Sequence, residues 1–219
     1  MTQSDAGEPA PLRPASGFVA AEVAAEFPGL RLDWVTLSAR RRPSPPSLVA
    51  QLQRLAGRVR GASVIAMRTQ PIPHAYRAFF RQIGLDPDVD RIPSERAALQ
   101  RLLDGGFRSV DLIADACLLA LLETGVPVWA LDADAIDEHG LGIRMATADA
   151  VEGVGYLAVA DGSSVHARLF ADPGQRAAIG SRTRRVALFA VAVAGVPSIH
   201  VEEALWQGVE LVGNDPREC

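Results

Sequence analysis

Acidic, hydroxyl and arginine side chains recur in this chain at spacings short enough to act together. Asp132, Asp134, Asp137 and Glu138 form one cluster. Oxygen ligands so placed can hold Mg²⁺ or Ca²⁺, and a metal-dependent hydrolase could be built on Asp132 and Asp134. The EF-hand pattern is not met, and aspartate is equally at home in strand-end turns and helix caps. Arg182-Thr183-Arg184-Arg185 sets three arginines around one hydroxyl, which suits a phosphate backbone and equally a solvated strand entry. Ser94 and Glu95 read either as polar groups of a pocket or as a helix cap and its dipole partner. His166 alternates with Val165 and Ala167, so it projects to the opposite face of a strand, toward a cleft or toward water. His74, His139 and His200 are isolated. Cys117 lies on an apolar helical stripe and reads as a small core residue.

Several chemistries have no sequence signature. There is no Gly-x-Ser-x-Gly elbow, no P-loop, no His-Glu-x-x-His and no Cys-x-x-Cys. A side-chain nucleophile or a fixed zinc is therefore not expected.

The elements that must position these groups follow from periodicity. Apolar residues at helical spacing predict helices over Val19–Phe27, from Ser47 to Arg60 with Gly61 ending it, and after Pro73 with Tyr76, Phe79, Phe80 and Ile83 on one face. A further helix is capped by Ser94 and carries Leu99, Leu102 and Leu103; another spans Val110–Thr124. Leu30–Leu37 alternates as a strand. After Gly125 the period moves toward two, giving strands at Val126–Leu131, Leu141–Met145, Tyr156–Val159 and Val165–Leu169, with a turn at Asp161-Gly162. Val186–Val193 fits a fully buried strand, with a helix as the alternative, and Val201–Gln207 a last short helix. Helices lead and strands follow, which is an α+β pattern.

The chain has 219 residues, 48% of them hydrophobic, and a net charge of −4. That suffices for a core without disulfides. Two cysteines, Cys117 and Cys219, do not make a disulfide framework. All 22 basic residues are arginine; this reflects a GC-rich coding sequence or a use for bidentate phosphate forks. An acidic balance counts against broad electrostatic binding of nucleic acid. With no signal-peptide-like start and no apolar run of membrane-spanning length, the expectation is a soluble, cytoplasmic protein.

The order Tyr76–Pro87, Arg91-Ile92-Pro93-Ser94-Glu95, Leu99–Leu103 and Asp115, followed by Asp132-Ala133-Asp134, Gly142-Ile143-Arg144 and Ala160-Asp161-Gly162, resembles the B3/B4 domain. That domain is the tRNA-binding and editing module of the phenylalanyl-tRNA synthetase beta subunit, and the free-standing versions look closest. The resemblance implies a single α+β domain with helices mainly in the first half and a mixed or antiparallel sheet mainly in the second. It would comprise an N-terminal tail at 1–17, an extension at 18–75, the B3/B4-like core at 76–212 and a C-terminal tail at 213–219. It further implies a free-standing editing factor that hydrolyses the ester of a mischarged aminoacyl-tRNA with a positioned water, without cofactor or metal and without membrane contact. The site residues it implies are Asp115, Glu95 and Thr183 for catalysis. Arg91, Ser94, Arg144, Asp161 and Phe189 would bind substrate, and Arg182, Arg184 and Arg185 would bind tRNA. Asp111 and Leu118 fall where the family has asparagines. Phe189 falls where synthetases carry a glutamate that reads the tyrosine hydroxyl, so a smaller or apolar amino acid is expected. The alternative is a non-catalytic module for tRNA or a small amino-acid-like ligand.

Overall fold

The computed structural model describes residues 14–147 and 155–213. In chain order the elements are β1 (Ala15–Ser16), β2 (Phe18–Val19), α1 (Ala21–Glu26), β3 (Arg31–Ser38), α2 (Pro46–Arg58), α3 (Gly61–Met67), α4 (Pro71–Gln82), α5 (Pro93–Asp104), α6 (Leu112–Thr124), β4 (Val128–Asp132), β5 (Gly142–Thr147), β6 (Gly155–Ala160), β7 (Val165–Arg168), β8 (Arg185–Ala192) and α7 (Ser198–Gly213). A 3-10 turn, Ala133–Ala135, follows β4. The fold is α+β, with helices concentrated before Gly125 and strands after it. The tails read at 1–17 and 213–219 lie largely outside the described residues, although Ala15 and Ser16 already pair with Trp34 and Asp33 of β3.

β8 is the spine of the molecule. Its residues from Val186 to Ala192 are at most 1% exposed, because β3 and β4 flank it in a sheet ordered β1-β3-β8-β4. All pairs in that sheet are antiparallel. A strand buried on both faces needs a continuous apolar run instead of alternation, which is what Val186–Val193 supplies. Leu188 packs beneath Gly208 of α7, where a β-carbon would sit 3.0 Å from the leucine methyl. Phe189 points to the other face and stacks on Trp129 at 5.6 Å between centroids, the planes 18° apart. Trp34, Phe189 and Trp129 are in register across β3, β8 and β4. The second sheet, β2-β5-β6-β7, is mixed: β2 runs parallel to β5 and the other pairs are antiparallel.

Some local expectations differ. Gly61 does not end α2; the helix stops at Arg58, Val59 turns extended, and Gly61 opens α3. Ser94 is not a cap. Pro93 takes the first helical position, where its missing N–H costs nothing, so Ile92 becomes the N-cap residue and Ser94 falls inside the first turn. β1 and β2 are two residues each, too short for any periodicity. α7 runs to Gly213, well past Gln207, because its apolar stripe (Val201, Ala204, Leu205, Gly208, Val212) continues along the sheet.

Phe170, just after β7, has φ of +63°. A left-handed conformation costs a phenylalanine about 1 kcal/mol or more. Its ring meets those of Tyr76, Phe79, Phe80 and Trp129 at centroid distances of 5.3 to 6.0 Å, and at roughly 0.5–1.5 kcal/mol per aromatic pair the packing outweighs the strain. This locks the chain between β7 and β8 in place over the end of β4.

Candidate functional site

A cleft of about 800 Å³ opens between α5, α6, the edge strand β4 and the segment 172–179. Its position follows from the fold: β4 closes one side of the first sheet, and among the described residues no further strand lies beside it. The floor is apolar, formed by Ile113, Leu118, Leu121, Trp129 and Ile179. Charged and polar groups border it, namely Arg41, Arg96, Gln100, Asp111 and Asp172.

Each wall has a local cause. Asp111 caps α6, one carboxylate oxygen accepting from the N–H groups of Ile113 at 3.1 Å and Ala114 at 3.0 Å. Its other oxygen accepts from Arg41 Nε at 2.8 Å. Leu112 N donates to Arg42 O, tying the β3–α2 loop to the same helix start. On α5, Arg96 and Gln100 are four residues apart and so share one face. Arg96 also donates to Phe170 O at 3.3 Å, fastening α5 to the loop opposite.

β4 contributes its backbone. Asp132 N donates to Ala177 O at 2.9 Å, away from β8. Strand residues alternate in the direction of their N–H and C=O groups, so those of Ala130 and Val128 point the same way as those of Asp132. Both residues line the cleft. A peptide-like edge thus runs beside an apolar floor.

Cys117 is half-buried in the cleft wall. Burial, with a smaller push from the Asp111 charge, moves its thiol up to about 12. A thiol so protonated is a poor nucleophile.

The residues implied for catalysis occupy other places. Asp115 is 1% exposed and accepts from Ser44 Oγ at 2.6 Å, from Ser109 Oγ, and from Val110 N at 3.0 Å. It stitches two loops beneath the start of α6. Glu95, also 1% exposed, receives Arg77 Nη1 on both oxygens at 2.9 and 3.0 Å, while Arg77 Nη2 holds Asp88 at 2.9 Å. Thr183 donates to Asp132 Oδ2 at 2.6 Å and accepts from Gly180 N at 3.0 Å. These three groups are spent on hydrogen bonds within the fold and do not converge.

The implied substrate-binding residues are also dispersed. Arg91 is half-buried in the turn before α5. Ser94 lines a different cavity. Arg144 lies on β5 opposite Ala158, with its Nε buried and unpartnered among the described residues. Asp161 ties the β6–β7 turn, accepting from Asp137 N, Ser163 N and Ser164 N and meeting His166 Nε2 at 2.8 Å. Burial alone would raise its pKa, but these donors outweigh that and hold the carboxyl far below the usual carboxylate range. Phe189 is a core ring beneath Trp129. Of the arginines implied for tRNA, Arg182 is exposed, Arg184 folds back on Ser181 O and Thr183 O, and Arg185 pairs with Asp134 at 3.1 Å.

The acidic cluster is likewise committed. Asp132 Oδ1 accepts from Asp134 N, and Asp137 Oδ1 from His139 N. Among the described residues no three acidic, histidine or cysteine side chains are grouped to hold a metal ion. No helix of the described residues is long and apolar enough to cross a membrane.

Two positions compared above with family asparagines, Asp111 and Leu118, do border the cleft. Cys117, read from sequence as a small core residue, lies in the cleft wall too; the polar groups of the border, Arg41, Arg96, Gln100 and Asp172, have no motif in the sequence. Arg96 and Gln100 carry a readable signal in their i, i+4 spacing; Trp129, Asp172 and Ile179 are brought in by the sheet edge and the β7–β8 segment, which only the fold reveals. Comparison of the chain with protein-family models finds no family that matches, and comparison with curated proteins finds none that matches either.

Proposed function

We propose that this chain is a B3/B4-like binding module whose cleft receives an amino-acid-like group, presented as the aminoacyl ester at the 3′ end of a tRNA. The observation that carries the reading is the open backbone edge of β4 beside an apolar floor with charged groups around it. Val128 and Ala130 offer N–H and C=O groups to the amide-like part of the ligand, and Trp129, Leu118 and Ile179 take its side chain. Asp172 attracts an ammonium, while Arg96 suits a carbonyl or phosphate. Phe189 adds no acceptor below Trp129, which favours an apolar amino acid over one with a hydroxyl.

The charge distribution supports a polyanion on the helical side. Thirteen of the 22 arginines lie between Arg40 and Arg108, against five acidic residues in that stretch, although the whole chain is −4. An excess of arginine attracts phosphate even on an acidic protein, although within this stretch Arg77 is buried on Glu95 and Asp88, and Arg41, Arg68 and Arg108 are ion-paired.

Hydrolysis of the ester is the second reading, and one observation favours it. Backbone donors fixed on a strand edge suit a developing oxyanion, where pre-aligned dipoles contribute several kcal/mol without a nucleophile. With Asp115, Glu95 and Thr183 engaged elsewhere, the proton transfers would fall to water and to the substrate's own ribose hydroxyl.

The test is titration of the protein with non-hydrolysable 3′-aminoacyl-amide adenosines, following tryptophan fluorescence, with Trp129→Phe to assign the signal. Saturable binding of apolar members, with a response lost in the variant, supports the module. Failure of every member to bind at millimolar concentration refutes it. Deacylation of a mischarged tRNA panel then separates an editing enzyme from a pure binder.

A further inference from the structure

The second sheet has two unlike faces. Residues paired across its strands point their side chains the same way, row by row. Ile143, Leu157, Val159 and Ala167 point inward and join the main core. The opposite face carries Gly142, Arg144 and Ala146 of β5, paired with Ala160, Ala158 and Tyr156 of β6. Phe18 of β2 lies opposite Gly142, and Arg168 of β7 lies opposite Ala158. Glycine and alanine thus make a floor, and two rings and two arginines stand on it.

Three observations single this face out. The first is its flat groups. Phe18 is 36% exposed, and its ring fills the space that a β-carbon on Gly142 would take, so it lies over β5. The Arg168 guanidinium sits over the Tyr156 ring, its carbon 4.6 Å from the centroid, in a cation–π contact. Arg168 is exposed and Tyr156 half-buried beneath it. The second is charge. β2, β5, β6 and β7 carry no acidic residue. Arg144 has no hydrogen-bond or ion-pair partner among the described residues, and its Nε is buried bare. Such a guanidinium is ready for a phosphate oxygen. Asp161, directly after β6, is 1% exposed and held by the β6–β7 turn. Asp149 and Glu152, in the β5–β6 connection, lie outside the described residues.

The third is size. Six residues at about 3.3 Å each, over four strands about 4.8 Å apart, give a face of roughly 20 by 14 Å, or about 300 Å². A stable protein partner covers about 800 Å² on each side, so this face is too small for one. It matches two or three stacked bases, the number that a four-stranded sheet bearing aromatic rings accommodates.

We propose that the outer face of the second sheet binds a single-stranded polynucleotide segment of two or three nucleotides. One base stacks on Phe18, another stacks on the Arg168 guanidinium backed by Tyr156, and a phosphate between them accepts from Arg144. Stacking and phosphate contacts carry no base identity, so the site is indifferent to sequence. The contact needs no aminoacyl group and is independent of the reading of the cleft.

The test uses the full chain with two probes: hexaadenylate, and an abasic hexamer of the same charge. Binding is followed by NMR shifts of backbone amides. Hexaadenylate should saturate, moving the amides of Phe18, Arg144, Ala158 and Arg168 while the indole N–H of Trp129 stays in place. The abasic hexamer should bind at least about tenfold more weakly, because stacking supplies much of the affinity. The logarithm of the binding constant should fall against the logarithm of salt with a slope of about −1.4, for two arginine–phosphate contacts on a single strand. Arg144→Gln should halve that slope. Phe18→Ala should weaken hexaadenylate about tenfold, whereas Phe18→Trp, which restores a ring, should keep the parent affinity. No saturation at millimolar concentration, equal binding of the abasic hexamer, a slope unaltered by Arg144→Gln, equal losses in the two Phe18 variants, or shifts centred on Trp129 or on the arginines between Arg40 and Arg108 would each overturn the proposal.

Discussion

Replacing Asp115 with alanine separates anchoring from chemistry. The carboxylate is 1% exposed and receives two hydroxyls and one N–H. Hydrogen bonds to a charged group are worth about 1.5–3 kcal/mol each and are not additive. Ser44 is half-buried and Ser109 and Val110 are exposed, so in the variant these donors recover part of the loss from water. A net cost of roughly 3 kcal/mol follows. For a chain of this size each kcal/mol lowers the melting temperature by about 2–4 °C, which gives a drop on the order of 6–12 °C. Asp115→Asn keeps one acceptor oxygen, and its amide can donate to a rotated hydroxyl, so it should cost about 1 kcal/mol. The assay is thermal unfolding by circular dichroism, paired with ligand binding at 20 °C. The variant should remain folded there and retain much of its affinity, because Asp115 touches no cleft surface. An alanine variant that melts within about 2 °C of the parent, yet has lost all binding or ester hydrolysis, would refute the anchoring argument and place Asp115 in the chemistry.

Three other expectations follow from the same geometry. Glu95→Ala leaves the buried Arg77 guanidinium with only Asp88 and Pro87 O as partners and should cost about 3 kcal/mol in urea unfolding, whereas the double replacement Arg77→Met/Glu95→Met should be close to neutral; equal losses in both would contradict this. Asp161 has a folded pKa below its unfolded value, so the stability it contributes is complete above the ordinary carboxylate range near 4 and is lost as pH falls below it. Urea midpoints from pH 6 to pH 2 should therefore fall less steeply for Asp161→Asn than for the parent. In a Cys219→Ser background, Cys117 should resist alkylation at pH 7.5, its thiol being pushed up to about 12 by burial; rapid labelling by iodoacetamide would contradict that environment.

Strong periodicity made most elements readable in advance. The run Val186–Val193 reads as a buried strand and is one, and the glycine stop at Gly125 is a left-handed C-terminal cap with φ of +76°. Errors lie where a proline or a neighbouring strand decides. Pro93 displaces Ser94 from the cap, and β1 and β2 exist only because β3 and β5 offer them an edge. The cleft was far less legible. Polar residues conspicuous in the sequence, such as Asp115, Glu95 and Thr183, prove to be joints of the framework, since a buried polar group must be paired. Those that face the cleft, Arg96, Gln100 and Asp172, look in sequence like ordinary solvated residues. Which of the two a charged side chain becomes is decided by tertiary packing.

The bare edge of β4 has a further consequence, for self-association. An uncovered strand edge is a template on which another extended chain can add. Here the edge is covered at Asp132, through the bond to Ala177 O, and left open at Val128 and Ala130. Whatever fills the cleft therefore also covers a stretch of that strand whose outward backbone groups have no strand partner among the described residues, so occupancy and resistance to aggregation rise together.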